Sequence, residues 1–297
     1  MRVFLAFLLY LAGCMLLSAL ALPWLQPLFA ASLGASPDRS LYRFGMLLGL
    51  LGLPWLLRRL QLAEPRLMGI ERPPGAVRRE LLAGLGWGIG LMTLVLALLL
   101  AGGVRYFPEG QALLPRLAAG AASGLISGLA VGLIEEFFFR GPLQGGMRRT
   151  LPIAPVALAT GTFYAAVHFI RPAPLPPGTE LDTAAALAML GGGLANLGHF
   201  ADYADSFLAL LAAGVFLALT RERTGRIWFA IGMHAGWVTM IRIAKKTTRT
   251  DHDAPWAWLI GDYDNITGWL AAALLAACAL LYWRIGRNTQ PTGNTTS

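Results

Sequence analysis

Residues 117–140 read LAAGAASGLISGLAVGLIEEFFFR, an apolar run long enough to cross a bilayer as a helix. Glycine recurs at every fourth position from Gly120 to Gly132, so these small residues share one face of the helix. A face of this kind lets a second helix approach closely. The run therefore predicts a membrane-spanning helix that packs tightly against a neighbour.

The carboxyl end of this run carries charge. Glu135 and Glu136 are adjacent, and Arg140 follows Glu136 by one helical turn. A charged side chain near the bilayer centre costs about 2.5–3.5 kcal/mol on insertion scales, so an ionisable cluster there indicates a functional site. Because Glu136 and Arg140 can neutralise each other, Glu135 is left as a candidate general base.

Similar apolar runs recur along the 297-residue chain, which is 56% hydrophobic and 13% charged. This composition predicts an all-α, polytopic membrane protein. We expect about eight transmembrane helices, at 3–31, 41–58, 81–104, 117–140, 153–170, 206–221, 226–243 and 266–285. The first run resembles a secretory signal, but its length favours a retained helix.

Basic residues predict the orientation of these helices. The loop between the second and third runs holds the densest basic cluster, at Arg58, Arg59, Arg66, Arg72, Arg78 and Arg79. The positive-inside rule makes that loop cytoplasmic, and alternation then places both termini in the cytoplasm. The basic residues between Arg242 and Arg249 disagree with this orientation. The net charge of +8 is spread over short loops, so it does not indicate nucleic-acid binding.

Two histidines interrupt other apolar runs, His168 in the fifth and His234 in the seventh. A histidine in lipid needs a polar partner, and carboxylates on a neighbouring helix are suitable. Glutamate and histidine together can hold and activate a water molecule for attack on a peptide carbonyl. A second histidine can donate a hydrogen bond to the developing oxyanion.

These residues resemble the CPBP (CAAX-protease-like) intramembrane proteases, whose pattern is Glu-Glu-x-x-x-Arg, Phe-x-x-x-His and His-x-x-x-Asn/Asp on separate helices. Glu135-Glu136-x-x-x-Arg140 matches the first motif in full. Tyr164-x-x-x-His168 matches the second, with tyrosine in place of phenylalanine.

The third motif is incomplete. His234 is present, but Val238 stands where the family has Asn or Asp, a residue that the family uses with this histidine to bind the oxyanion. Trp237 and Thr239 are the neighbouring donors that can replace it, each rotated by about 100° around the helix.

The resemblance implies a glutamate-type mechanism for an intramembrane endopeptidase. Glu135 activates water and His168 orients it, while Glu136 and Arg140 support the site and His234 stabilises the oxyanion. The substrate is then a membrane-associated protein or peptide, cleaved within the lipid bilayer, and no nucleic acid is a partner. The expected location is the bacterial inner membrane.

The resemblance also assigns roles along the chain. We expect residues 1–110 to form accessory transmembrane helices and 111–287 the catalytic membrane core. The polar tail at 288–297 is expected to be disordered. A catalytically weak or inactive relative that acts as a membrane binding or immunity protein remains the alternative, because Val238 departs from the pattern. A proton-coupled transporter is less well supported, since no repeated pair of broken helices is present.

No cofactor is expected. Zinc is the alternative, with Glu135, His168 and His234 as its ligands, although the sequence lacks a close-spaced pair such as His-Glu-x-x-His. Two other polar clusters, Asp251–Asp253 and the loop of His199, Asp202 and Asp205, are interpreted as solvated surface.

Overall fold

The computed structural model describes residues 1–288, except for the side chains of residues 32, 33 and 286–288. The described chain is mostly helical and has one pair of two-residue strands, Arg105–Tyr106 and Arg249–Thr250, which confirms the all-α fold class. Its helices are α1 (Arg2–Leu33), α2 (Pro37–Arg59), α3 (Pro65–Met68), α4 (Ala76–Ala101), α5 (Leu113–Phe138), α6 (Gln144–Arg148), α7 (Ile153–Phe169), α8 (Thr183–Ala195), α9 (Ala204–Thr224), α10 (Trp228–Thr247) and α11 (Trp269–Asn288). The predicted disordered tail lies outside the described residues, apart from Asn288 at the end of α11.

Five helical stretches within residues 1–288 are long and apolar enough to cross a membrane. They are Arg2–Ala31, Pro37–Arg59, Ala76–Ala101, Leu113–Arg148 and Thr183–Thr224. The predicted count of eight spans is not confirmed. The apolar helices Ile153–Phe169 and Trp269–Ile285 are shorter, and 17 residues rise only about 25 Å against a hydrocarbon core of about 30 Å. The remaining candidate, α10, carries basic residues in its last turns. The chain is an integral membrane protein, whereas its orientation and membrane of residence stay predictions.

The chain forms two compact units. The first contains Met1–Glu64 and Phe163–Asp202, and the second contains Pro65–Thr162 together with the described residues from Tyr203 onward. The boundary at residue 162 falls inside α7. The predicted division into accessory helices and a catalytic core is a division by role, and it stays a prediction.

In the first unit, α1 packs against α2 and α8. Their shared core consists of Ala19, Leu22, Leu41, Ala186 and Met189. Two polar side chains of α1 bind carbonyl groups of α2. The Tyr10 hydroxyl donates to Gly49 at 2.7 Å, and the Ser18 hydroxyl donates to Leu41 at 2.6 Å. These bonds satisfy polar groups that would otherwise be costly among apolar side chains.

In the second unit, α10 packs against both α4 and α5. The glycine face of α5 lies directly on α10, because an added Cβ at Gly124 would meet the backbone of Thr239 and one at Gly128 would meet the backbone of Ala235. Since the contact on α10 moves four residues back for every four residues forward on α5, the two helices are antiparallel. The predicted close approach of the glycine face is confirmed.

Gly88 of α4 makes an equally close contact with α10, and this contact gives a testable prediction. A methyl group at Gly88 would clash with the backbone of Met233 and Gly236, whereas Gly90, on the same helix, has no atom within 4 Å of the corresponding position. We expect Gly88→Ala to lower the free energy of unfolding by about 1–3 kcal/mol. Gly90→Ala should leave it unchanged or raise it by about 0.4–1 kcal/mol. Unfolding of the two purified variants in the same mixed micelles checks this, and equal stabilities would contradict the packing.

The helix that carries the acidic pair bends rather than stops. Gly141 has a non-helical ψ of −110°, and the backbone makes a π-type turn over Phe139–Leu143 before it continues as α6. Pro142 explains the bend, because its nitrogen has no hydrogen to donate to the preceding turn. The whole segment from Phe139 to Met147 is buried.

The segment after α3 fixes the beginning of α10. The backbone N–H of Ile227 donates to Gly69 at 3.0 Å, and the Trp228 indole donates to the carbonyl of Glu71 at 2.9 Å. Arg226 donates to Glu80 of α4 at 2.9 Å, and this hydrogen bond raises the pKa of Arg226. Because α10 is held at its first turn, the side chains one to two turns later have fixed positions.

Candidate active site

Glu136 and Arg140 form a fully buried ion pair. Both side chains are 0% exposed, and Arg140 Nε lies 3.3 Å from Glu136 Oε2. Arg140 Nη2 also donates to the backbone carbonyl of Gly214 on α9 at 3.0 Å. The predicted one-turn pair is therefore present, and it ties α5 to α9. Hydrogen bonds to the remaining polar atoms lower the cost of burying an ion pair, and the Gly214 carbonyl supplies one such bond to the guanidinium.

His234 of α10 lies between the two glutamates. Its Nδ1 is 3.1 Å from Glu136 Oε1, and its Nε2 is 3.9 Å from Glu135 Oε2. The histidine side chain is 6% exposed and that of Glu135 is 24% exposed. Gly132 faces this turn of α10, because a Cβ there would lie 3.1 Å from the Ile231 carbonyl oxygen and 3.4 Å from the Cβ of His234. The structure thus brings Glu135, Glu136, Arg140 and His234 together.

The charges of this cluster suit proton transfer. Two carboxylates and one guanidinium leave one negative charge when the imidazole is neutral. A protonated imidazole would balance this charge. Carboxylates beside an imidazole are typical of general acid–base sites, although structural ion-pair networks share the property.

His168 belongs to the first unit, at the end of α7. Its Nδ1 lies 2.7 Å from the backbone carbonyl of Tyr164, and the two rings are 4.7 Å apart. Since a carbonyl oxygen only accepts, Nδ1 of His168 is the donor in this contact. The role of His168 in orienting water stays a prediction.

Val238 stands where the third family motif has Asn or Asp. Its side chain packs against the glycine face of α5 near Gly128. Of the two alternative donors, the Thr239 hydroxyl already donates to Ala235 at 2.7 Å. The Trp237 ring lies 6.4 Å from that of His234, and its buried indole N–H has no hydrogen-bond acceptor within residues 1–288. Of the two residues, Trp237 therefore has the donor that is available for another group.

The other polar clusters have the properties expected of surface loops. His199 and Asp202 are 3.8 Å apart, with 72% and 77% of their side chains exposed. Asp251 accepts the backbone N–H of Asp253 in an exposed turn. Within residues 1–288, no group of three or more His, Cys, Asp or Glu side chains has the arrangement of a metal site.

Two residues near the site were missed by the sequence analysis. Gln144 donates through Nε2 to the carbonyl of Ala218 at 2.9 Å, and Glu222 pairs with Arg148 at 2.6 Å. The signal was available, because Arg140, Gln144 and Arg148 are spaced four residues apart. Gly141-Pro142 is a sequence typical of a helix end, so the spacing alone does not predict that the three side chains share one face.

Residues 117–240 match the family model described as type II CAAX prenyl endopeptidase Rce1-like. The predicted CAAX-protease-like resemblance is confirmed over this segment. The Rce1-like segment contains all three motif positions and the four residues that converge in the second unit. It supports peptidase activity within a membrane in general. No curated protein and no solved structure matches the chain.

Proposed function

We propose that this protein is an intramembrane endopeptidase that hydrolyses a peptide bond in a membrane-associated protein through a water molecule activated by Glu135. The observation that carries the proposal is the contact of one imidazole, His234, with both carboxylates of the Glu135–Glu136 pair. The Rce1-like match supports the reaction class. The acidic pair and His234 supply a base and a donor within reach of one another.

The two glutamates have different exposure, and this supports different roles. Glu136 is sealed between Arg140 and His234, whereas Glu135 is 24% exposed and can meet water and substrate. Glu135 takes a proton from water as the oxygen attacks the carbonyl carbon. His234 donates to the oxyanion of the tetrahedral intermediate. The intermediate collapses when the C–N bond breaks and Glu135 returns the proton to the leaving amine.

A second function is favoured by Val238. Because an aliphatic side chain stands where the family has a hydrogen-bonding one, the oxyanion has one donor fewer. Loss of one such donor costs about 10²–10³ in rate. A weak or inactive relative that binds membrane partners, as an immunity-type protein does, is the candidate that this substitution supports.

Comparison of membrane proteomes separates the two functions. Cells that carry the wild-type protein are compared with cells that carry Glu135→Gln at the same expression level. A peptidase gives a substrate precursor that accumulates in the variant and a new amino terminus that disappears. Identical proteomes with a retained cellular phenotype would support the binding protein instead. The cleavage product that carries the new amino terminus identifies the substrate directly, whether or not that substrate is lipidated.

Chelation tests the expectation that no metal takes part. Because the proposed base, donor and supporting cation are all side chains, we expect EDTA or 1,10-phenanthroline to leave the rate of precursor cleavage unchanged. The measurement uses purified protein in lipid vesicles. Loss of activity that added zinc restores would establish the zinc alternative.

A further inference from the structure

Three polar side chains beyond the acidic pair face α9 in a regular series. Their spacing of four residues is matched by the spacing of their partners. The three contacts are Arg140 to Gly214 at 3.0 Å, Gln144 to Ala218 at 2.9 Å and Arg148 to Glu222 at 2.6 Å. Each partner lies 74 residues further along the chain, so the two helical segments run parallel.

The three contacts differ in burial. The pair formed by Arg148 and Glu222 is about one-third exposed, and exposed pairs contribute little. Gln144, by contrast, is 1% exposed. An amide is costly to bury without hydrogen bonds, yet only its Nε2 is bonded, while its Oε1 has no donor within residues 1–288. A half-satisfied buried amide is therefore not explained by stability alone.

The location of Gln144 gives it a role. It lies one turn after Arg140, across the bend at Gly141 where the regular backbone bonds of the helix are interrupted. The bond from Gln144 to α9 fixes this turn from the side. Arg140 is held by Gly214 and Glu136, and Glu136 in turn contacts His234 Nδ1. Gln144 and Arg140 are one turn apart and both bind carbonyl groups of α9, so the turn that Gln144 fixes is the turn that carries Arg140.

We propose that Gln144 is a positioning residue that, through Arg140 and Glu136, sets the orientation of the His234 ring. The catalytic meaning of this orientation rests on the proposed peptidase function. The orientation itself is a property of the folded protein, and it is measurable without a substrate.

The test is nuclear magnetic resonance of the full chain in lipid nanodiscs with ¹⁵N-labelled histidine. The sequence has four histidines, and the signals that disappear in His234→Gln are those of the His234 ring. Gln144→Met keeps the side-chain length and removes the hydrogen bond, and we expect it to shift the ring nitrogen signals of His234 beyond their linewidth. Glu222→Gln removes the negative charge from the partly exposed pair of the same series and should leave those signals in place.

A second variant keeps the test decisive if Gln144→Met does not fold. Gln144→Glu places a carboxylate one turn from Arg140, where it competes with Glu136 for the guanidinium, so it should also shift the His234 signals. If the folded variants retain the wild-type His234 signals, the positioning role is overturned. On an identified precursor, Gln144→Met should lower kcat with KM unchanged. Should the wild-type protein cleave no precursor, the peptidase function fails while the signal shift still decides the role of Gln144.

Discussion

Arg140→Met is expected to lower the free energy of unfolding by about 3–5 kcal/mol. The reason is that Glu136 would keep a buried carboxylate whose guanidinium partner is gone, and breaking a fully buried pair costs this much. Both side chains are 0% exposed, so water cannot replace the lost partner. The carbonyl of Gly214 would lose its side-chain donor as well. Equilibrium unfolding of the purified variant in mixed micelles measures the effect.

Arg148→Met is the matched control. It makes the same substitution two turns later, at a pair whose side chains are about one-third exposed. Exposed ion pairs contribute about 0–1 kcal/mol, so this variant should stay close to the wild type. Equal losses in the two variants would show that the Glu136–Arg140 pair is not the buried, mutually dependent pair described above.

Glu135→Gln is expected to lower the cleavage rate by about 10²–10⁴-fold, the usual contribution of a general base. Its stability should remain near that of the wild type, because Glu135 is partly exposed and its contact with His234, at 3.9 Å, is longer than a hydrogen bond. The measurement is single-turnover cleavage of the accumulated precursor in lipid vesicles, together with unfolding of the same preparations.

Glu136→Gln distinguishes the roles of the two glutamates. This variant should lose activity and stability together, since it leaves Arg140 as a buried charge without its carboxylate. A Glu136→Gln protein as stable as Glu135→Gln would contradict the division of roles. A Glu135→Gln protein that cleaves at the wild-type rate would move the base to another residue.

Much of the fold follows from features that one helix carries by itself. The length of an apolar run is set by the bilayer, so the eight predicted runs all coincide with described helices, although fewer satisfy the criteria for a span. The spacing of Gly120 to Gly132 predicted a close contact, and α10 fills it. The bend at Gly141 followed from the proline after it.

The arrangement of the site depends on how helices rotate against each other, and a single-helix pattern does not contain that information. Adjacent positions of α5 such as Glu135 and Glu136 are separated by about 100° around the helix axis, a pattern that by itself predicts different surroundings. In the structure the two ring nitrogens of His234 lie 3.9 Å from Glu135 and 3.1 Å from Glu136, so one imidazole is near both carboxylates. The short antiparallel pairing of Arg105 and Tyr106 with Arg249 and Thr250 was missed for a similar reason, because two-residue strands have no periodicity to detect.

The Gln144 contact was also hidden by the bend. A helix that ends at Gly141 gives no reason to align Arg140 with Gln144. Only the continuation as α6 puts both side chains on the surface that meets α9. The family pattern likewise ends at the arginine, so it offered no hint of the residue one turn later.

Cleavage of the accumulated precursor in ¹⁸O-labelled water follows the proposed water molecule itself. Wild-type protein in lipid vesicles should produce a fragment with ¹⁸O in its newly formed carboxyl group, detected by mass spectrometry, and Glu135→Gln vesicles should produce almost none. An unlabelled fragment from the wild type, or labelled fragment formed equally fast by Glu135→Gln, would contradict hydrolysis by a water molecule that Glu135 activates.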